Sequence, residues 1–560
     1  MRVVIVAHMR WPKGIAETIR RLGAITIQRR EFGKMNEMKR LEDWKVQFVS
    51  INNVWRYINL GIDQLAGFLR QRGFDIRISY SLRRFSAERI FSTLDLSCQV
   101  FAFSVMSANY ERCKEVVDLL RKANPKAVIV MGGGYVSRYY NEVLDEFPAL
   151  DYITLGDGEL PSEYLFGELR TAWIEGRSPL VNHPSVVTHE DRLNKVVQIN
   201  QDVVDMPALD AYERFFPEHN RRKVHCLQSK NNICTGKCTF CTERHGHPTF
   251  RDVNVLANQI KVVHEKYGVT KFFFTDDNIL DPNNATARVH VNRLCTALQG
   301  IGHKLAYQCY IKALSIHDTP EDHALLENMR RAGFIEVFIG SEAGNQEDLD
   351  LYKKLTTVEE NYTAVRMVQQ HDLFPILGYI AFNPYSTLDR ITKNFCYLTD
   401  VGCTHLFNYI FAFVQLNKYT ELYDKVKADG LLDSPGSVYV DAKYHYKNPE
   451  VNELLEYVRS DMVPKFDKII YHLDWVIYNT KEYCWCYEDL PDFSEELHQY
   501  QREDVEFLKK YLSILFVDYN VAGFRKVADE FWGHFYSREV RLKEIHDVII
   551  ELTERGRLKC

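Results

Sequence analysis

Over the first 190 residues, short unbroken apolar runs alternate with stretches whose apolar residues recur three and four positions apart. The runs at 3–7, 75–80, 99–105, 127–131 and 152–155 read as buried strands. Between them, 59–73 places Leu65, Phe68 and Leu69 on one helical face and ends at Gly73, where a C-terminal cap belongs. A second helix runs through Val116, Leu119 and Leu120, and 9–50 reads as a long insertion after the first strand. This alternation predicts a Rossmann-like α/β unit over 1–190, a parallel sheet covered on both faces. Ligands of such sheets bind outside the carboxyl ends of the strands. Gly132, Gly133 and Gly134 end one strand, and Gly156-Asp-Gly-Glu159 ends another.

After a linker at 191–220, the alternation resumes. Strands are predicted at 224–227, 271–275, 305–311, 336–339, 376–382 and 406–413. One helix carries Val253, Leu256, Ile260, Val263 and Tyr267 and closes at Gly268; another opens at Pro320 and closes at Gly333. Six βα units suit a partial (β/α)6 barrel over 221–445, with its chemistry at the carboxyl ends of the strands. From 446 to 560 the pattern turns mainly helical and rich in aromatic residues. Two readings of that stretch stand: a small aromatic core packed on the barrel, or a domain capping the substrate site at the barrel mouth.

Composition narrows the class. A chain of 560 residues exceeds a single core. Its 46% hydrophobic and 26% charged residues are ordinary for globular domains. The formal charge of −6 lacks the basic excess of a nucleic-acid binder. No stretch approaches the ~18 apolar residues of a membrane span, and no leader pattern precedes the first apolar run, so a cytoplasmic location is expected. Thirteen cysteines, an odd number, argue against a disulfide framework.

Ten of those cysteines are scattered, but Cys234, Cys238 and Cys241 lie within eight residues. Three thiolates on one short loop can hold three corners of a 4Fe–4S cube and leave one iron open, whereas a purely electron-carrying cluster normally takes four. Zinc, with His245 or His247 as a fourth ligand, fits the spacers less well. Cys484 and Cys486 are too few to hold a second cluster.

The CxxxCxxC loop follows the first barrel strand and carries Phe240 before its third cysteine; it resembles the radical S-adenosylmethionine (SAM) superfamily. An acidic pair after the second barrel strand, Asp276 and Asp277, and the turn Gly340-Ser341-Glu342 after the fourth match supporting motifs of that family. The N-terminal unit is similar to the cobalamin-binding domain that precedes the barrel in one large subclass. That similarity rests on Asn59-Leu-Gly, Ser104-Val-Met-Ser-Ala-Asn109, Gly132-Gly-Gly134 and Gly156-Asp-Gly-Glu159. A nucleotide-binding Gly-x-Gly-x-x-Gly after the first strand is absent.

The resemblance implies a 4Fe–4S cluster on Cys234, Cys238 and Cys241, with SAM bound near Phe240, Asp276, Asp277, Ser341 and Glu342. It places cobalamin on Ser104, Met106, Ser107, Gly132, Gly133, Gly134, Gly156 and Glu159. His8 stands where cobalamin enzymes carry Asp-x-His-x-x-Gly, but Val6 and Trp11 replace the Asp and Gly, so a cobalt without a histidine ligand is expected. Tyr307, Cys309 and Lys312 are candidate substrate contacts lining the barrel. The basic excess in 9–50 reads as a solvated surface, or as a contact to an acidic or peptide substrate or to cobalamin's rim.

The implied activity is reductive cleavage of SAM to a 5′-deoxyadenosyl radical and transfer of a methyl group from methylcobalamin to a carbon. The substrate would be a peptide or small natural product, and the electron donor a flavodoxin or ferredoxin. The alternative keeps both cofactors and performs ring contraction, cyclisation or another oxidation. No nucleic-acid or membrane partner is expected.

Overall fold

The computed structural model describes residues 41–52, 60–193, 195–197, 207–214, 224–231, 233–242, 248–281, 285–403, 407–436, 442–466, 469, 473–487 and 491–554. The expected strand at 3–7, and His8 behind it, lie outside the described residues. The central strand of the first sheet is instead β1 (Val46–Asn52), a segment assigned from sequence to the end of the insertion. All seven of its residues are buried, so it sits between neighbours rather than at an edge.

β1 pairs in parallel with β2 (Ile76–Leu82) on one side and β3 (Val100–Ser104) on the other. β4 (Val128–Gly132) and β5 (Tyr152–Thr154) continue in parallel, and β6 (Val186–Val187) closes the edge antiparallel. The order β2-β1-β3-β4-β5-β6 reverses direction between β1 and β3, and such a switch point opens a crevice for ligands. On one face α1 (Leu60–Gln71) buries Ile62, Ala66, Phe68 and Leu69, and α3 (Glu159–Glu175) adds Leu165 and Phe166 to the same core. On the other, α2 (Tyr110–Ala123) buries Cys113, Val116, Val117 and Leu120.

A short helix, Asp210–Arg214, bolts this domain to the barrel. Asp210 receives a two-pronged bond from Arg70 of α1, at 2.6 and 2.9 Å. Tyr212 meets the ring of the buried His225 on the first barrel strand, 2.8 Å from its Nδ1.

The barrel sheet runs β11 (Phe374–Tyr379), β10 (Phe334–Glu342), β9 (Ala306–Lys312), β8 (Lys271–Phe274) and β7 (Val224–Leu227), all parallel. Helices α4 (Val253–Tyr267), α5 (Ala285–Gln299), α6 (Pro320–Ala332), α7 (Val358–Gln370) and α8 (Leu388–Asp400) cover its outside. Their starts follow local chemistry: Asp252, Thr319, Thr357 and Thr387 each accept backbone N–H groups of the first turn.

The sixth strand expected at 406–413 is reduced, among the described residues, to a single parallel bridge between Phe382 and Phe413. Phe407–Ile410 is a helical turn instead. The hydroxyl of Tyr409 accepts the Leu377 N–H at 2.8 Å, so a side chain occupies an edge of β11 that a strand backbone would have paired.

The C-terminal helices α9 (Leu473–Cys486), α10 (Ser494–Phe516) and α11 (Val521–Glu554) settle where the last region sits. Ala306, Ile335 and Phe374, at the amino ends of three barrel strands, share a core with Val476, Ile477, Leu497 and Ile545. Lys271, the first residue of β8, forms a buried ion pair with Glu482, and the Trp485 indole donates to the Leu305 carbonyl at 3.0 Å. α9, with the start of α10 and the end of α11, therefore floors the barrel at the end opposite its chemistry, while the rest of α10 and α11 packs along its side, with Phe516 on Phe382 and Phe395. A lid over the mouth is not what α9 builds; the strand starts offer it an apolar ring, and its own apolar face closes that ring.

Candidate active site

The cysteine loop leaves the carboxyl end of β7 and is held on several sides. The buried carboxylate of Asp276 accepts the N–H of Ser229 at 3.0 and 2.9 Å and that of Lys230 at 2.8 Å. The Lys230 ammonium, also buried, donates to the Ile233 carbonyl at 2.5 Å. Thr235 donates to Asp281 at 2.6 Å. Thr239 reaches the other wall: its N–H donates to the Tyr352 carbonyl at 3.0 Å, and its hydroxyl donates to Leu351 at 2.8 Å. Phe240 stands edge-on to Tyr352 with ring centroids 5.4 Å apart, half-buried in that wall.

Cys234 is buried, and Cys238 and Cys241 are half-buried. The Gly236 N–H donates to Cys234 Sγ at 3.3 Å, and a Cβ on Gly236 would lie 2.2 Å from Lys312 Nζ. Glycine there lets the lysine lie against the loop. A second cation, Lys354, is buried and paired with Glu342 at 3.1 Å. Burial pushes the Cys238 thiol up, while Lys354 and Lys312 act in the opposite direction. Glu342 holds a left-handed backbone (φ 63°) at a register shift in β10, and this turns its carboxylate toward Lys354.

Among the described residues no three His, Cys, Asp or Glu side chains converge on one ion; thiolates of a cube bind separate irons and need no shared centre. Three thiols with two lysines beside them suit an anionic iron–sulfur cluster with one open iron.

Beside the loop lies a cavity of about 940 Å3 whose lining contains all eight residues expected to hold cobalamin, from Ser104 to Glu159. It runs between the sheet and helices α1 and α3 as a slot lined by Phe48, Ala102, Val130 and Phe166. Gly133 has φ 110°, and a Cβ there would stand 2.9 Å from the Val105 carbonyl. The cradle is thus built of backbone, with the room a bulky ligand needs. Barrel residues close the other side: Gln228, Asn231, Thr242 and Thr275, with Asn417 and Tyr419 from the segment after β11. Tyr419 packs on Tyr139 at 5.6 Å between centroids and bonds to Glu142, joining the barrel to the first domain.

Arg251 lines the same cavity, half-buried, with its N–H on the Ser229 carbonyl at 2.8 Å. Burial pulls its guanidinium below the ordinary value; Asp276, Glu159 and Asp157 act against that.

Several expected contacts fall elsewhere. Ser341 is fully buried, its hydroxyl 2.8 Å from the Tyr397 hydroxyl, so its side chain serves the barrel wall rather than a ligand. Asp276 is a tether for the cysteine loop, and Asp277 is half-buried beside it. Tyr307 and Cys309 face outward instead: both lie in the core between the sheet and the helices, with Leu294 and Cys295 of α5, whereas Ala306 and Gln308 on the alternate face meet Val476 and Tyr478 of the floor. Tyr307 packs among Phe272, Phe274 and Phe334 near the floor, and Cys309 is buried one step above. Lys312 reaches the carboxyl end and lies against the cysteine loop. Lys354, Arg251 and Thr275 carry no motif of their own, and only the fold brings them to the site.

Comparison with known proteins matches the same two units. Residues 49–165 fit the B12 binding domain family and 229–391 the Radical SAM superfamily. The anaerobic magnesium-protoporphyrin IX monomethyl ester cyclase of Cereibacter sphaeroides is 24% identical over 356 residues, covering 60% of this chain and 54% of that protein. The chain thus spans little more than half the length of that relative. Among solved structures, the cobalamin-dependent SAM radical enzyme OxsB superposes with a TM-score of 0.68 at 17% identity, over 92% of this chain and 80% of that one. The radical SAM methyltransferase TsrM of Kitasatospora setae does so at 0.52 and 17%, over 70% and 76%. These two likenesses concern the fold.

A B12-binding domain followed by a Radical SAM domain with a three-cysteine loop defines the class: the cobalamin-dependent radical SAM enzymes. The chain belongs to the radical SAM superfamily, in its cobalamin-dependent group, and its cofactors are a 4Fe–4S cluster, SAM and cobalamin.

Proposed function

We propose that this enzyme transfers a methyl group to a carbon atom of a peptide or small natural-product substrate. When bound, the cofactors supply the radical and the methyl group. The observation that supports the reading is the single cavity, with the glycine cradle on one wall and barrel residues next to the cysteine loop on the other. A substrate entering between the walls would meet both reactive centres without leaving the chamber.

The chain's own part is binding, orientation and the exclusion of water. Cys234, Cys238 and Cys241 would hold the cluster, and Asp276 keeps their loop in place through Ser229 and Lys230. Lys354 and Glu342 would meet the charged carboxylate and the polar groups of SAM. Gly132, Gly133 and Gly156 would lie against the corrin. The residues between β1 and α1, 53–59, contain no histidine, which supports a cobalt without a histidine ligand. A flavodoxin- or ferredoxin-type protein would reduce the cluster.

Cyclisation without methyl transfer is the second reading, favoured by the similarity to a cyclase. SAM labelled in its methyl group, incubated anaerobically with the reconstituted enzyme, cobalamin and a reductant, separates them. Label appearing on cobalamin supports methyl transfer. Label confined to SAM and methionine, while 5′-deoxyadenosine accumulates, favours the second reading.

A further inference from the structure

Two metal centres bound to different domains can work on one substrate only if their separation is fixed. The contacts of Asp210, Tyr212 and Tyr419 join the two domains, but none of them ties the Gly156–Glu159 loop to the cysteine loop, and interfaces between domains of one chain commonly permit relative motion. A residue that holds both cofactor loops at once would supply the constraint.

Arg251 is so placed. It opens onto the shared cavity from the barrel side, immediately before α4. Its backbone N–H donates to the carbonyl of Ser229, the residue whose own N–H is held by Asp276. Its guanidinium lies 3.4 Å from the Gln228 side chain, on the chain just ahead of the cysteines. Asp157 and Glu159 line the same cavity from the cobalamin domain, on the loop that leads from β5 into α3. The guanidinium is in the electrostatic field of both, and of Asp276. A planar cation with five donors can serve carboxylates on two domains at once, which a single-point ammonium does less well.

We propose that Arg251 is a positioning residue that ties the Gly156–Glu159 loop of the cobalamin domain to the cluster-bearing loop and so sets the distance between cobalt and cluster. It touches neither reacting atom; it fixes where they stand. The inference rests on the two bound cofactors and not on methyl transfer, so it stands or falls independently of the reaction.

Pulsed electron–electron resonance on the full chain tests it, with the cluster reduced, cobalamin in the cob(II) state and supplied at saturation. The wild type should give one narrow cobalt–cluster distance. Arg251→Gln should lose that single peak while iron and sulfide per chain are retained, and Arg251→Lys should keep part of it. The paired change Asp157→Asn with Glu159→Gln attacks the same link from the other domain and should broaden the distance likewise. It also decides the matter if Arg251→Gln does not fold. An unchanged narrow peak in Arg251→Gln, or in the paired variant where that one is needed, overturns the proposal.

Discussion

Asp276 lies beyond the end of β8, yet both oxygens of its carboxylate accept the backbone N–H of Ser229, at 3.0 and 2.9 Å. An acidic residue that looked like a ligand contact in the sequence is thereby the anchor of the cysteine loop. Asp276→Asn keeps the shape but turns an amide donor toward backbone donors. We expect a loss of about 1–3 kcal/mol and a fall in iron per chain after reconstitution. Thermal melting together with iron analysis checks it; unchanged iron content would deny the anchor role.

Lys354 and Glu342 form a buried pair at 3.1 Å beside the thiols. Replacing Lys354 with Met should leave the cluster in place and weaken SAM binding about ten- to a hundredfold, the size of a charge-assisted hydrogen bond of about 1.5–3 kcal/mol. Calorimetric titration of the reconstituted protein with SAM reads it directly. Wild-type affinity in the variant would remove Lys354 from the site.

Gly133 occupies a left-handed conformation that an alanine resists, and the added carbon would press on Val105. Gly133→Ala should cost on the order of 1 kcal/mol or more and reduce the cobalamin retained after gel filtration. Corrin absorbance per chain is the measure, and full retention would mean that the cradle is not where the corrin lies.

His225 is buried between Tyr212 and Gln259, with its ring nitrogens 2.8 and 3.0 Å from them, and burial lowers its pKa to about 3. The unfolded chain takes up that proton near pH 6.5, the ordinary value. Between those limits the unfolded state binds more protons, so stability falls as pH drops, by up to about 1.4 kcal/mol per pH unit. His225→Gln should flatten this part of the profile in denaturant titrations from pH 7 to pH 4. A slope identical to the wild type would place the acid sensitivity elsewhere.

The Lys271–Glu482 pair lies at the barrel floor, each side chain under 5% exposed. Glu482→Gln strands a buried charge and should cost about 3–5 kcal/mol, with SAM and cobalamin affinities of the folded protein unchanged. Altered affinities at wild-type stability would return the C-terminal helices to the mouth.

The sequence carried the chemistry further than the architecture. Glycines, the cysteine spacing and Ser104 mark themselves, because backbone approach and thiolate ligation demand particular residues at particular intervals. β1 was hidden because Val46–Asn52 contains Gln47, Ser50 and Asn52, polar residues that the interior nonetheless buries. Periodicity put Tyr307 and Cys309 on one face of their strand, but which face looks into the barrel is set by tertiary packing: Ala306 and Gln308 meet the floor, and Tyr307 and Cys309 lie against the outer helices. Lys354 and Arg251 come to the site through tertiary contacts alone, which no local pattern encodes.

The most direct test is product formation from SAM by the anaerobically reconstituted and reduced protein, with and without the three thiols. The wild type should show iron–sulfide absorbance and release 5′-deoxyadenosine, and the variant with Cys234, Cys238 and Cys241 all changed to Ala should do neither. Absence of both signals from the wild type, or equal 5′-deoxyadenosine from the triple variant, would contradict the account.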